Sequence, residues 1–323
     1  MLELPPDWCQ QLTEVRVTQP AKIFELAQTR RKRRCLTDDG MLTIVAADHP
    51  ARRITAAADD PFAMACRKDY LYRIASCLAA DALDGVMATM DILEELLLLS
   101  YICTKNGGAP FLDDKILLAS LNRGGLNKCS WELDDPVTSI PASSCKNWNL
   151  DGAKMLLRIE DDDPDSLKTL IYCRDAINEL LEYDLPMFLE PLPVVRSDSG
   201  IKVMKDWRSL AAIVGVASAL GSSSSRLWLK LPFCENFELV AGATTLPILV
   251  LGGETQATSQ FLAEMTKALA AAENVRGVMV GRNVLFSEDS PVSTAKAIHE
   301  RVHRKSATDR NKVHTSQPRG PKQ

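Results

Sequence analysis

The stretch VAADHPARR, residues 45–53, follows the first predicted strand and decides between two parallel α/β folds. A doubly wound sheet that binds a dinucleotide carries a glycine-rich turn after its first strand. This stretch contains no glycine and ends the strand in Asp48 and His49. Polar residues that follow a strand are typical of the carboxyl face of a barrel. The stretch therefore favours a (β/α)8 barrel, the TIM barrel.

On both sides of this stretch, short apolar runs alternate with amphipathic stretches. Uniformly apolar strands are typical of a parallel sheet covered by helices. Eight strands are predicted: Leu42–Ala47, Gly85–Ala88, Ile116–Ser120, Ala153–Ile159, Met187–Glu190, Leu227–Leu231, Ile248–Leu251 and Gly277–Val280. The predicted helices include Met64–Ala80, Asp91–Thr104, Ser166–Glu182, Asp206–Leu220, Ser259–Ala272 and Val292–His303. Together they predict a single barrel domain over residues 41–303.

The two ends of the chain differ from this pattern. Residues 1–40 form a predicted N-terminal extension, with a helix from Pro20 to Arg34 that ends in five consecutive basic residues. Cations are favourable at the carboxyl end of a helix, although a basic pentapeptide is also typical of a localisation signal. Residues 304–323 have no apolar period and are expected to form a disordered basic tail.

Composition excludes several classes of function. The 323 residues carry a formal net charge of −4, so neither a nucleic acid nor an anionic membrane is an expected partner. The apolar run Ile92–Ile102 is too short to cross a membrane and contains Glu94 and Glu95. The nine cysteines are scattered singly without a C-x-x-C pair, which argues against a disulfide framework or a zinc ribbon. The expected compartment is the cytoplasm.

Lys230 is the first candidate for chemistry. It lies in RLWLKLPF, residues 226–233, and strand alternation directs it into the barrel together with Trp228. Burial and a nearby cation both lower the pKa of an amine, which an imine-forming nucleophile requires. The alternative is a lysine that extends from the strand end to solvent.

Lys154 provides a second interior cation. In GAKMLLRI, residues 152–159, it shares one face with Leu156 and Arg158. Asp48 and Glu190 at the ends of other strands supply carboxylates for acid/base work. A structural ion-pair network of the same composition is the alternative.

Glycine turns after the last two strands predict a phosphate site. The candidate residues are Gly252, Gly253, Gly281 and Arg282, with Asn122, Arg123 and Arg158 as further candidates for substrate binding. A zinc-dependent enzyme needs a histidine-rich site, but of the four histidines only His49 lies at a strand end. No metal and no cofactor other than a covalent lysine imine are therefore expected.

Several segments resemble known class I aldolases. The segments VAADHP (45–50), LPILVLGGE (246–254) and GVMVGRNVLF (277–286) resemble archaeal-type fructose-bisphosphate aldolases. The segments DGAKMLLRIEDDDPDS (151–166), LPMFLEPLP (185–193) and WLKLP (228–232) resemble tagatose-bisphosphate aldolases. The resemblance extends from Leu42 to His303 and implies a lyase that cleaves or forms a carbon–carbon bond of a phosphorylated keto sugar.

The resemblance also implies roles for single residues. Lys230 matches the imine-forming lysine, and Asp48, Lys154 and Glu190 match the acid/base and charge-tuning residues. The residues that match the phosphate-binding loops are Gly252, Gly253, Gly281 and Arg282. Homo-oligomers are common among barrels of this kind, so a homo-oligomer is expected.

One segment departs from both families. LNRGGLNKCSWELDDPVT, residues 121–138, resembles a less characterised aldolase-like barrel family found beside inositol-catabolism genes in actinobacteria. That resemblance implies 2-deoxy-5-keto-gluconate 6-phosphate as substrate, cleaved to dihydroxyacetone phosphate and malonate semialdehyde. The alternatives are a transaldolase-like or condensing enzyme that uses the same imine, and a catalytically silent barrel that binds a sugar phosphate.

Overall fold

The computed structural model describes residues 2–197 and 200–315, with side chains up to residue 304. Within these ranges eight parallel strands form a closed barrel, because the pairing of β4 with β5 joins the two ends of the sheet. The barrel strands are β1 Leu42–Ala46, β2 Gly85–Ala88, β3 Ile116–Ser120, β4 Gly152–Ile159, β5 Met187–Ser197, β7 Leu227–Pro232, β8 Ile248–Leu251 and β9 Val275–Val280. The prediction of a (β/α)8 barrel is confirmed.

Helices cover the outside of the barrel. They are α1 Trp8–Thr18, α2 Ala21–Thr29, α3 Arg67–Ala79, α4 Met90–Lys105, α5 Ala142–Asn147, α6 Asp165–Glu182, α7 Trp207–Ser218, α8 Phe237–Ala241, α9 Thr258–Ala271, α10 Arg282–Leu285 and α11 Pro291–Thr315. The six helices named from the sequence are all present, with ends that differ by a few residues except at the end of α11. In the described part of the chain, no helix is long and apolar enough to span a membrane.

Alternation along the strands divides the apolar side chains into two layers. On β1, Ile44 faces the barrel interior, whereas Val45 faces the helices. The interior layer consists of Leu42, Ile44, Ala46, Met87, Ile116, Leu118, Phe188, Leu249 and Met279. Burial of each of the larger side chains stabilises the fold by about 1.5–3 kcal/mol. This layer fills the barrel near the amino ends of the strands. Polar residues further along the same strand faces therefore lie above it, towards the carboxyl ends.

The strand β5 is longer than the sequence predicts. It continues past Glu190 to Ser197 and pairs in antiparallel register with β6, Gly200–Val203. Two prolines within the segment suggest an early end, because proline cannot donate to a ladder. However, Leu192 and Val194 are buried against Leu133 and Leu156 above the barrel. This apolar contact favours the extended hairpin.

The basic segment does not end a helix, contrary to the prediction. Helix α2 ends at Thr29, and Arg30 leaves it with an extended ψ of 132°. Arg30 then pairs with Asp151 at 2.9 Å, and Arg33 pairs with Asp84 at 3.1 Å. Both carboxylates directly precede a barrel strand, and both are largely buried. A buried carboxylate without a partner costs more free energy than basic residues gain at the end of a helix. The basic residues therefore cross the amino end of the barrel to reach these carboxylates.

The predicted tail begins within helix α11, which the structure continues to Thr315. Residues 316–323 of that tail lie outside the described residues. The division into an extension over 1–40, a barrel over 41–303 and a disordered tail over 304–323 stays a prediction.

Gly277 on β9 provides a test of the barrel's closest strand contact. Its φ is +127°, and a Cβ atom there would collide with the backbone of Leu42 on β1. We expect Gly277→Ala to lower the free energy of unfolding by about 3 kcal/mol or more. Gly215→Ala is the matched control, because Gly215 lies in α7 with open space around it. That substitution should stabilise the protein by about 0.5–1 kcal/mol. Urea denaturation measures both, and equal effects would contradict the assignment.

Candidate active site

Two lysines and one glutamate meet inside the barrel near its carboxyl end. The Oε2 atom of Glu190 lies 3.0 Å from the Nζ of Lys230 and 2.8 Å from the Nζ of Lys154. The residues lie on β4, β5 and β7, which are neighbours because β5 pairs with both other strands. All three side chains are buried. Lys154 and Lys230 thus point into the barrel, as the alternation predicts.

Asp48 extends the cluster across the barrel from the end of β1. Its Oδ2 atom lies 3.2 Å from the Nζ of Lys154 and accepts a hydrogen bond of 2.9 Å from the Oγ of Ser120. Ser120 is completely buried on β3. The structure therefore places both predicted carboxylates and both predicted lysines in one hydrogen-bonded chain, with Lys154 at its centre.

An apolar floor lies beneath this chain. Phe188 precedes Glu190 by two residues on β5, and its ring centroid lies 5.6 Å from that of Trp228 on β7. Both rings pack against the interior layer of the barrel. Each aromatic ring therefore lies on the same strand face as one charged group of the cluster, which removes water from beneath the lysines and carboxylates.

The two lysines differ in their tendency to hold a proton. Burial lowers the pKa of Lys230, and the nearby positive charge of Lys154 lowers it further, so that the carboxylates of Glu190 and the more distant Asp48 do not restore it. Burial also lowers the pKa of Lys154, but Asp48 and Glu190 together outweigh this and leave its pKa above the ordinary value. Lys154 therefore holds its proton more strongly, and Lys230 is the amine that loses its proton more readily.

The carboxylates and His49 complete the electrostatics of the site. Burial raises the pKa of Glu190, but Lys154 and Lys230 more than compensate and lower it to about 2. The pKa of Asp48 is likewise lowered, because Lys154 and other nearby cations outweigh its burial. Burial lowers the pKa of His49 to about 4. At neutral pH both carboxylates are ionised and the imidazole is neutral.

The glycine turns expected to bind phosphate lie together at the ends of β8 and β9. The Nη2 of Arg282 donates a hydrogen bond of 3.0 Å to the carbonyl oxygen of Gly253. The side-chain amide of Asn283 donates to the carbonyl oxygens of Gly252 and Glu254. Among the described residues, the buried Nε–H of Arg282 has no hydrogen-bond partner. It is a donor that an anion in these turns could use.

Gly281 lies between this group and the end of β1. A Cβ atom at Gly281 would lie 2.5 Å from the carbonyl oxygen of Ala46 and 2.8 Å from the Cε1 of His49. Only glycine permits this approach, so the turn after β9 lies directly against His49. The candidate phosphate residues and the residue next to Asp48 are thereby held side by side.

Arg158 and Asn122, predicted as substrate-binding residues, have protein partners instead. Arg158 pairs with Glu132 at 2.6 Å and donates to the carbonyl oxygen of Gly125. The side-chain amide of Asn122 donates to the carbonyl oxygen of Leu156, and its Oδ1 accepts the backbone N–H of that residue. These contacts fasten the segment 121–138 above the barrel, and substrate binding by the two residues stays a prediction.

Arg123, the third residue in that prediction, is placed differently. Its backbone N–H donates to the Oγ1 of Thr138, and its Nε is buried with no hydrogen-bond partner in the described ranges.

Sequence reasoning missed two contributors to this end of the barrel. Ser120 follows Leu118 by two residues on β3, and the alternation that located Lys154 also directs Ser120 inward. Arg52 follows β1 in a short 3-10 turn, His49–Arg52, and pairs with Asp135 at 2.6 Å. No pattern in the sequence indicates this pair, because 83 residues separate its members.

The chain is similar to one protein family and to several solved structures. A family model described as Cgl0159-like matches residues 40–300. The crystal structure of Cgl0159 from Corynebacterium glutamicum is 36% identical with a TM-score of 0.87, and the match covers 94% of this chain and all of that one. A Schiff-base-forming fructose-1,6-bisphosphate aldolase is 21% identical, with a TM-score of 0.58 over 87% of this chain and 99% of that one. The latter likeness concerns the fold alone.

A curated relative matches over a shorter range. The 2-amino-3,7-dideoxy-D-threo-hept-6-ulosonate synthase 1 of Archaeoglobus fulgidus is 40% identical over 75 residues, which are 23% of this chain. The match spans 28% of the length of that synthase.

The pair Arg52–Asp135 gives a test of how the segment 121–138 is held. Both side chains are buried, with 7% and 2% exposed, so Arg52→Met removes the closest cation of Asp135 and leaves its carboxylate with the more distant Arg158, at 3.7 Å. We expect a loss of about 3–5 kcal/mol in the free energy of unfolding, part of which Asp135→Asn in the same chain should restore. Arg174→Met is the matched control, because its pair with Asp175 is half exposed and should cost about 0–1 kcal/mol. A loss as small as that of the control would contradict the assignment.

Proposed function

The chain belongs to the Cgl0159-like family, and from that premise we propose that it is a class I aldolase that acts through an imine on Lys230. The observation that carries this proposal is the unequal pair of buried lysines on one carboxylate. Burial and Lys154 lower the pKa of Lys230, whereas Lys154 stays charged. A neutral amine beside a fixed cation is what imine formation requires.

The proposed reaction begins with attack of neutral Lys230 on the ketone carbon of the substrate. Glu190, hydrogen-bonded to the Nζ of Lys230, exchanges the protons needed to lose water from the carbinolamine. The protonated imine then accepts the electron pair of the carbon–carbon bond as it breaks. Asp48, kept ionised by the cations around it, takes the proton of the β-hydroxyl group, so that the carbon bearing this oxygen leaves as the aldehyde product. Reprotonation of the enamine and hydrolysis release the ketone product and regenerate Lys230.

The turns after β8 and β9 support a phosphorylated substrate. We infer that the backbone N–H groups of Gly252, Gly253 and Gly281 and the guanidinium of Arg282 bind the phosphate. The buried Nε–H of Arg282, which has no hydrogen-bond partner among the described residues, favours an anion at this place. The proposed substrate is a phosphorylated keto sugar, and 2-deoxy-5-keto-gluconate 6-phosphate stays the specific prediction. Metal independence, the homo-oligomer and the cytoplasmic location also stay predictions.

The short match to a synthase favours one second candidate, a condensing enzyme that runs the same imine chemistry in the direction of bond formation. Product analysis distinguishes the two. Incubation of dihydroxyacetone phosphate with candidate aldehydes, malonate semialdehyde included, reveals a condensation product, and incubation of the keto sugar phosphate alone reveals cleavage.

Borohydride trapping tests the imine directly. With dihydroxyacetone phosphate as ligand, we expect reduction to leave a stable adduct on the peptide that contains Lys230, located by mass spectrometry. Lys230→Met should abolish the adduct, and unphosphorylated dihydroxyacetone should give much less of it. Lys168→Met is the control, because Lys168 forms ion pairs on the surface and its removal should leave trapping unchanged.

Two outcomes would contradict the proposal. An adduct on Lys154 would mean that the roles of the two lysines are reversed. Measurable binding of dihydroxyacetone phosphate without any adduct would instead identify a silent barrel that binds sugar phosphates.

A further inference from the structure

Three side chains of metal-ligand type meet at the amino end of the barrel, opposite to the lysine cluster. Asp84 directly precedes β2, and His299 and His303 lie one turn apart on α11. One ring nitrogen of each histidine and one carboxylate oxygen of Asp84 all lie within 4.8 Å of one another. Residues four apart on a helix share a face, so both imidazoles are directed at the same carboxylate. None of the three takes part in the proposed imine chemistry.

His303 is held as a metal-binding histidine usually is. Its Nδ1 lies 2.8 Å from the Oδ2 of Asp39, and its Nε2 lies 3.0 Å from the Oδ2 of Asp84. Histidines that bind a metal through one nitrogen commonly donate the other N–H to a carboxylate, which fixes the ring. Asp39 is placed for that role, and the lone pair of Nε2 then faces Asp84.

Asp84 has one oxygen directed at the histidines. Its Oδ1 pairs with Arg33 at 3.1 Å, whereas its Oδ2 accepts the backbone N–H of Thr43 and faces His303. Two oxygens bound to different partners hold the carboxylate in a single orientation. A carboxylate oxygen can accept an amide N–H and coordinate a cation at the same time.

His299 is the feature that an ion pair alone does not explain. Its ring centroid lies 4.1 Å from that of His303, and its Nδ1 is buried without a hydrogen-bond partner in the described part of the chain. An unsatisfied buried polar atom destabilises the folded state. A protonated His303 between Asp39 and Asp84 would account for every contact except this nitrogen.

We propose that Asp84, His299 and His303 bind a divalent transition-metal ion, with Zn²⁺ preferred, that fastens α11 to the start of β2. Two imidazoles and one carboxylate are a ligand set that Zn²⁺ favours, with a water molecule as the fourth ligand. Ligands about 2.0–2.2 Å from a tetrahedral ion lie roughly 3.3–3.5 Å apart. The Oδ2 of Asp84 and the Nε2 of His303 lie 3.0 Å apart, which is near this value, and His299 lies within 4.8 Å of both, so that a small movement of His299 completes the set.

Calorimetric titration with Zn²⁺ tests the site on full-length protein that carries no affinity tag and has been treated with a chelator. We expect one equivalent to bind with a dissociation constant near or below about 1 µM. His299→Ala should weaken binding by about 30-fold or more, and His303→Ala should do the same. Cys35→Ser is the control and should leave Zn²⁺ binding unchanged, because the thiol of Cys35 is exposed, bonds to Asp38 at 3.1 Å and could bind Zn²⁺ outside the proposed site.

Thermal denaturation gives a second readout. At 100 times the dissociation constant, Zn²⁺ should raise the Tm of the wild type by about 5 °C, and His299→Ala or the gentler His299→Gln should remove that rise. Circular dichroism establishes that each variant is folded. The proposal is overturned if the wild type binds no Zn²⁺ below about 100 µM, or if both histidine variants bind it as tightly as the wild type. The outcome is independent of borohydride trapping at Lys230.

Discussion

The carboxylate of Glu190 accepts hydrogen bonds from two buried lysines at once, and the chemistry proposed for the barrel depends on this shared contact. Two ammonium groups on one carboxylate in a desolvated space repel each other, which lowers the pKa of at least one of them. Asp48 makes the two lysines unequal, because it contacts Lys154 as a second carboxylate, whereas Lys230 contacts Glu190. The two lysines therefore differ because the end of β1 brings a second carboxylate, Asp48, to Lys154.

The surrounding packing keeps this contact dry and fixed. Phe188 and Trp228 form the floor below the lysines. Above them, the hairpin of β5 and β6 and the segment 121–138 pack together through the apolar cluster around Leu156. Buried pairs such as Arg52–Asp135 fasten that segment to the barrel. The polar residues above the floor thus have two roles, since some make up the lysine cluster and others hold the segment 121–138 to the barrel.

Much of the fold and part of the candidate site follow from local sequence patterns. Strand alternation locates Lys154 and Lys230 inside the barrel because its period of two is a property of the backbone itself. The same rule also directs Ser120 into the barrel, but a serine in an apolar strand carries no chemical signal of its own. Contacts that join distant segments do not follow from such patterns. The pairing of Arg158 with Glu132, the return of Arg30 to Asp151 and the extension of β5 all depend on tertiary neighbours.

The central claim is that Lys230 loses its proton more readily than Lys154, and site-resolved titration measures this most directly. The rate of reductive methylation of each lysine, followed against pH by peptide mass spectrometry, reports the fraction of neutral amine. The account predicts that Lys230 titrates below the ordinary lysine value of 10.5, because burial and the charge of Lys154 lower its pKa. Lys154 should titrate above that value. In Lys154→Met, the pKa of Lys230 should rise, since Glu190 and Asp48 then act on it alone. A Lys230 that titrates at or above 10.5 in the wild type would contradict the account.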